Sequence, residues 1–117
     1  MKLKGMDIDW ENEFNGAITI CNKEGTIVYM NQYSIAQFKK YGGEKLIGTS
    51  LLDCHKEPSK TKLMQMLNEH SENMYITEKN GNKRMILQTP WKVNGEFCGI
   101  VEISFQLDLN MPVLVVN

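Results

Sequence analysis

Along the chain, apolar residues recur first at helical spacing and later at strand spacing. In "DIDWENEFNG" (7–16), Trp10 and Phe14 stand four apart, on one face of a short helix. Asp7 or Asp9 can cap its start, and Gly16 can stop it. "AITICN" (17–22) is rich in β-branched residues, "KEG" is a turn, and "TIVYMN" (26–31) is again strand-like, so the two segments predict a β-hairpin. Asn31 offers an N-cap for a helix in "QYSIAQFKKYG", with Ile35 and Phe38 on its buried stripe and Gly42–Gly43 at its end. "EKLIGTSLLDCH" holds no long period and predicts one or two single turns around Gly48, with Ser50 as a cap. "EPSKTKLMQMLNEHSE" is the clearest helix: Leu63, Met66, Leu67 and His70 fall at i, i+3, i+4 and i+7, and Pro58 suits its first turn.

Three strands follow. "NMYITEKN" ends at Asn80–Gly81 and "KRMILQTPWKV" at Asn94–Gly95, both strong hairpin-turn pairs. The second strand carries Met85, Leu87 and Trp91 on one face. Its internal Pro90 predicts an edge or a bulge. "EFCGIVEISFQL" alternates, with Phe97, Val101, Ile103, Phe105 and Leu107 on one face and Cys98, Ile100, Glu102, Ser104 and Gln106 on the other. The economical architecture is α+β: one antiparallel sheet with helices over one face. The whole chain reads as a single domain, with a core at about 16–108, a helical flank at 1–15 and an apolar tail at 109–117.

Composition narrows the class. At 117 residues, with 42% hydrophobic and 23% charged content, the chain suits one globular domain. A net charge of −1 gives no basic surface for nucleic acid. Cys21, Cys54 and Cys98 form an odd, widely spaced set, which fits a reducing cytoplasm better than a disulfide framework. No secretory signal and no membrane-spanning apolar run are present, so a cytoplasmic protein is expected.

Three stretches in this order resemble a PAS domain over roughly residues 8–108. "AITICNKEGTIVYMNQYSIAQF" follows the family's "D-x-x-G-x-I-x-x-x-N" opening through Gly25, Ile27 and Asn31, with Asn22 where an acid is commoner. "GGEKLIGTSLLD" carries the Leu46-Ile47-Gly48 turn, and "EKNGNKRMILQTPWKVNGEFCGIVEIS" matches the paired final strands. More narrowly, "LLDCHKEP" and "QTPW" resemble the small stand-alone PAS sensor-like proteins of anaerobic bacteria. The resemblance implies a five-stranded antiparallel sheet with short helices over one face and a leading N-terminal helix. It also implies a pocket between sheet and helices that holds a cofactor, a metabolite or nothing. Output in the family passes through dimerisation or an attached effector; with no room for an effector in these 117 residues, it is expected through another protein or through a neighbouring domain outside this sequence.

The chemistry concentrates in "LLDCHKEP". Adjacent helical side chains diverge by about 100°, so Cys54 and His55 do not make a nucleophile–base pair, and no enzymatic role is expected. Paired zinc-ligand spacing is missing. Haem remains open, with His55 as the axial ligand and His70 or Cys54 as alternatives, although the family's haem motif is not reproduced around His55. Flavin is disfavoured, because the Asn, Arg and Gln of the family's flavin motif are missing around Cys54. The plainest reading makes Cys54 a buried apolar residue and His55 a backbone cap.

Expected pocket walls are Ile20, Tyr29, Ile35, Phe38, Leu52, His55, Leu63, Leu67, Met85, Leu87, Ile100 and Glu102, with Gln88 or Trp91 of "QTPW" as further contacts. A one-residue slip in strand phase would invert the strand members of this set. Trp10, Phe14, Val113 and Val115 are expected dimer contacts. Three functions stay open: a small-molecule sensor acting with a signalling protein, a haem or redox sensor using His55 or Cys54, and a ligand-free homodimerisation module.

Overall fold

A computed structural model of the chain describes residues 2–3 and 5–117. Met1 and Lys4 of the expected helical flank lie outside the described residues. A short hairpin, β1 (Lys2–Leu3) with β2 (Met6–Asp7), precedes α1 (Trp10–Glu13). This leading helix is one turn only, shorter than the apolar spacing predicts. Asp9 spends its carboxylate on the Asn12 side chain at 2.9–3.0 Å, and the backbone turns extended at Phe14.

The hairpin β3 (Ala17–Asn22) and β4 (Ile27–Met30) is followed by α2 (Gln32–Gln37). Three 3₁₀ turns come next, at Lys39–Tyr41, Gly43–Leu46 and Leu51–Cys54. Then come α3 (Ser59–Glu69), β5 (Asn73–Lys79), β6 (Asn82–Val93) and β7 (Glu96–Gln106). The five long strands form one antiparallel sheet in the order β4-β3-β7-β6-β5, so the last strand lies in the middle.

Asn31 locks the hairpin to the helices. It is fully buried, and its Oδ1 accepts from Ser34 N at 2.9 Å, capping α2, and from Ile18 N at 3.0 Å. Its Nδ2 donates to the carbonyls of Glu11 at 2.8 Å and Gly16 at 3.0 Å. One amide thus satisfies backbone groups from three elements, which a buried polar side chain must do to be stable.

The helices cover the face that carries Glu102. Thr19 and Cys21 of β3 stand opposite Glu102 and Ile100 of β7, and Gln88 and Ile86 of β6 stand opposite Glu102 and Ser104. Cys21, Ile27, Met30 and Ile100 of the sheet pack there against Leu51, Leu63 and Met66. Thr19 meets Ser34 of α2 at 2.6 Å across the same layer.

This register corrects four of the expected pocket walls. Ile20 pairs with Tyr29 and Val101, Met85 with Phe105, and Leu87 with Ile103, all on the face away from the helices. The apolar residues of "MILQ" suggest one strand phase, but the helix-facing positions are Ile86 and Gln88, both buried. A buried glutamine wins the inner position because its partner there is a carboxylate.

The face assignment of Phe97 is also corrected. It packs on the same core as Ile100, because the β6–β7 register shifts between Trp91 and Lys92. The slip occurs at Gly99, whose φ of 149° and missing side chain let β3 come close: a Cβ there would lie 1.9 Å from Cys21 O. The Trp91 indole N–H donates to that same carbonyl at 3.0 Å, which commits Trp91 to the backbone. Pro90 lies two positions past Gln88, the last β6 residue paired with β5, and one residue before the register shift between Trp91 and Lys92.

Gly99→Ala is expected to lower stability by about 2 kcal/mol or more, from backbone strain and overpacking together. Gly81→Ala, at φ 81° but with open space around it, should cost about 1 kcal/mol. Urea denaturation of both variants checks the ordering, and equal losses would remove the steric account.

Candidate functional site

The 3₁₀ turn at Leu51–Cys54 begins at Ser50, whose Oγ accepts from Leu52 N at 3.2 Å. It ends at His55, which turns extended and drops its ring toward the sheet. Nδ1 lies 2.9 Å from Leu51 O, and Nε2 lies 3.0 Å from Glu102 Oε1. The same Oε1 accepts from Gln88 Nε2 at 2.7 Å, and Gln88 Oε1 accepts from Asn73 Nδ2 at 3.2 Å. A continuous polar chain therefore runs from the 51–55 turn across β7 and β6 to β5.

The protonation of this chain follows from its partners. A carbonyl only accepts, so Nδ1 carries a hydrogen toward Leu51 O. The contact between Nε2 and a carboxylate oxygen then needs a second proton. Both side chains are 9% exposed, so the proton is held away from bulk water. Burial pulls the His55 pKa down, but the Glu102 hydrogen bond and charge, with the Leu51 carbonyl, outweigh it and raise the value above the ordinary 6.5. The geometry holds a proton between the imidazole and the carboxylate.

The neighbouring groups respond to the same carboxylate. Burial first, and then the negative charge of Glu102, pushes up the Cys54 thiol, with Asp53 adding to it. Burial and Glu102 also raise the Tyr75 phenol, which is hydrogen-bonded to Ser59 at the start of α3. Cys21 rises too, mainly through burial. These thiols are held protonated, and thiolate, not thiol, is the reactive form. With both His55 nitrogens engaged, the arrangement does not pair Cys54 with a base.

A cavity of ≈ 540 Å³ opens beside the pair. Phe38, Tyr41 and Leu46 give it an apolar wall, with Thr49 among them. His55 and Cys54 lie along its polar side, and Asp53 and Lys56, both exposed, bring opposite charges to its rim. At the C-terminal end of α3, Lys23, Glu24, Lys92 and Glu96 surround a second groove of ≈ 600 Å³ that also contains Leu67, His70 and Phe97. His70 ends α3 in the left-handed conformation and stacks on Phe97, with ring centroids 3.8 Å apart at 4°.

Of the residues the sequence put in the pocket, Phe38 and His55 line the cavity, and Glu102 sits directly beneath His55. Ile35, Leu52, Leu63 and Ile100 belong to the core packing, and Leu67 reaches the second groove. Ile20, Tyr29, Met85 and Leu87 lie across the sheet, as described. His70 does not share the cavity with His55. Tyr41, Leu46, Thr49, Asp53 and Lys56 were not foreseen as lining residues. Their signal was the run of glycines at 42, 43 and 48, which makes a bent wall instead of a helix. Trp10 and Phe14 meet edge-to-face at 6.3 Å and remain about one-third exposed.

Solved structures share this fold. A sensory box sensor histidine kinase from Vibrio cholerae superposes with a TM-score of 0.60 at 16% identity, covering 86% of this chain and 89% of that one. The PAS domain of BvgS from Bordetella pertussis gives 0.61 at 14% identity, covering 86% and 83%. The Aer2 receptor of Vibrio cholerae, described as a dual PAS-heme oxygen sensor, gives 0.57 at 15% identity, covering 80% and 95%. The fold is that of a PAS domain. No protein-family model matches the sequence, and no curated protein is detectably similar to it. Among the described residues of this PAS fold, no helix is long and apolar enough to cross a membrane.

The pair makes stability depend on pH with a defined sign. His55 has a folded pKa above its unfolded value, so its contribution is complete below about pH 6.5 and is lost as pH rises through the folded value. Urea melts across that range should show this decline in the wild type and not in His55→Gln. Glu102→Ala, which strands a buried histidine, should cost about 3 kcal/mol. In Glu102→Gln the His55 pKa read by NMR should fall, since the Leu51 carbonyl is then the one contact left to oppose burial; an unchanged value would refute the pairing.

Proposed function

We propose that this chain is a sensory module whose cavity beside His55 receives a small molecule and reports it to the sheet. The observation that carries the reading is the junction of an apolar cavity with a buried, polar-linked chain. At ≈ 540 Å³ the cavity is within the range of small-ligand sites. Its wall of Phe38, Tyr41 and Leu46 suits a largely apolar molecule that packs against the His55 ring, and the Cys54 thiol can orient a polar group on it.

The transmission follows from the hydrogen bonds. A ligand that displaces the His55 ring disturbs Glu102, which disturbs Gln88 and then Asn73 at the start of β5. A ligand shifts such an equilibrium only through different affinities for the two arrangements. Contact with one end of a short, fully bonded chain provides that difference. Neighbours of the same fold include the sensor region of a sensor histidine kinase, which supports a signalling role.

Haem is the cofactor that one neighbour's description raises. His55 is poorly disposed for it, since Nε2 is committed to Glu102 and Nδ1 to Leu51 O. An axial bond would require breaking a buried ion pair, so the residues present do not fit haem.

Denaturing the purified protein and analysing the supernatant by mass spectrometry should release a small molecule. Alternatively, a metabolite panel should raise Tm by roughly 4 °C or more for each 1 kcal/mol of binding. Leu46→Trp, which fills the cavity, should abolish either signal while leaving the circular dichroism spectrum intact. A signal that survives Leu46→Trp, or none in the wild type, counts against the sensor reading.

A further inference from the structure

Arg84 stands near the start of β6, opposite Gln106 of β7. It alternates with Ile86 and Gln88, so it shares their helix-covered face. Its half-buried guanidinium meets α2 and the central strand. Nη1 donates to Tyr33 Oη at 3.3 Å, and Nη2 donates to Gln37 Oε1 at 3.3 Å and Ser104 Oγ at 3.2 Å. The guanidinium carbon lies 5.6 Å from the centroid of the Tyr33 ring, close enough for a cation–π contact. Every one of these partners is neutral. Among the described residues, no carboxylate forms an ion pair with Arg84. A cation partly withdrawn from water is normally paired.

The bonding left over is one-sided. Arg84 Nε–H is buried and has no hydrogen-bond partner. Tyr33 Oη accepts from Arg84, and its own hydrogen has no acceptor among the described residues. Gln37 likewise accepts through Oε1, and its Nε2 donors are unused. Tyr33, Ala36 and Gln37 fall at i, i+3 and i+4 on one face of α2, and with Arg84 they line a cavity of ≈ 280 Å³. This lies below the range of about 300–1,000 Å³ usual for drug-sized ligands, so an occupant is small. A site whose spare groups all donate wants a ligand whose groups accept.

We propose that this cavity binds a small carboxylate, held side-on by Nε and Nη2 of Arg84. A planar carboxylate matches two parallel N–H donors of a guanidinium. Charge favours it over phosphate: one of the four lining residues is charged, and phosphate groups carry about −1.5 to −2 at neutral pH. The exposed Gln37 side chain gives up its contact with Nη2, which opens the Nε–Nη2 edge to the ligand. Tyr33 then donates its hydroxyl hydrogen to a ligand oxygen. Any apolar remainder of the ligand lies against Ala36. The site shares no lining residue with the cavity beside His55, so it is independent of the sensor reading.

The test titrates sodium acetate into the full isotope-labelled chain, with ionic strength held constant by sodium chloride. The NMR signals of Arg84 Nε–H and of amides 33–37 should shift and saturate. Arg84→Lys keeps the charge but loses the fork, and should weaken acetate binding at least about tenfold. Tyr33→Phe keeps the ring and loses one donor, and should weaken it about tenfold; it also decides the matter if the Arg84 variant does not fold. Shifts that never saturate, or that chloride alone reproduces, overturn the proposal. So does acetate affinity unchanged in Tyr33→Phe or in a folded Arg84→Lys, which places the anion elsewhere. Saturation by inorganic phosphate but not by acetate overturns it as well.

Discussion

One carboxylate on the central strand organises the functional face of this domain. Glu102 lies under the helices, where an unpaired charge would be costly. Its Oε1 is satisfied by His55 from one side and Gln88 from the other. Those two bonds explain why a glutamine and not Leu87 faces inward on β6, and why the turn after Leu51 closes down onto the sheet. They also place a proton at the edge of the cavity. Replacing such a pair with apolar residues is often neutral or stabilising, so its value is better sought in orientation and response than in stability.

Asn31 plays the corresponding part at the other end of the core. It cannot be read as a simple helix cap, because its amide also ties α1 and the residue just before β3. Between these two polar anchors, Leu63, Met66, Ile100 and their neighbours fill an apolar core. The anchors specify which residues face one another, and the apolar residues supply most of the burial. The cavity survives where Gly42, Gly43 and Gly48 bend the covering segment, so its wall is made of short turns that leave space beneath them.

Much of this was legible beforehand. The Asn80–Gly81 and Asn94–Gly95 turns have positive φ at both central residues, as their types require. The α3 stripe of Leu63 and Met66 is fully buried. Asn31 and Ser50 both cap as their side chains suggest. Strand phase was not legible. In "MILQTPW" either alternating set contains apolar residues, so periodicity could not choose between Met85/Leu87 and Ile86/Gln88. Phe97 was misplaced because a bulge at Gly99 changes parity in mid-strand, and a lone glycine in a strand marks such a site without saying which way the phase slips.

The order of residues was enough to set local geometry: turn types, caps, the helical stripe and the five strands of the main sheet, though not the short β1–β2 hairpin in the expected helical flank. These depend on backbone preferences and on neighbours within a few positions. Which face of each strand turns inward, and hence which residues meet at the cavity, depended on contacts distant in the chain. His55 and Glu102 are 47 residues apart, and Gln88 and Glu102 are 14. "LLDCHKEP" shows the difference most plainly. Its thiol and imidazole are adjacent in sequence yet do not work on each other, because burial and a carboxylate from the central strand claim the histidine.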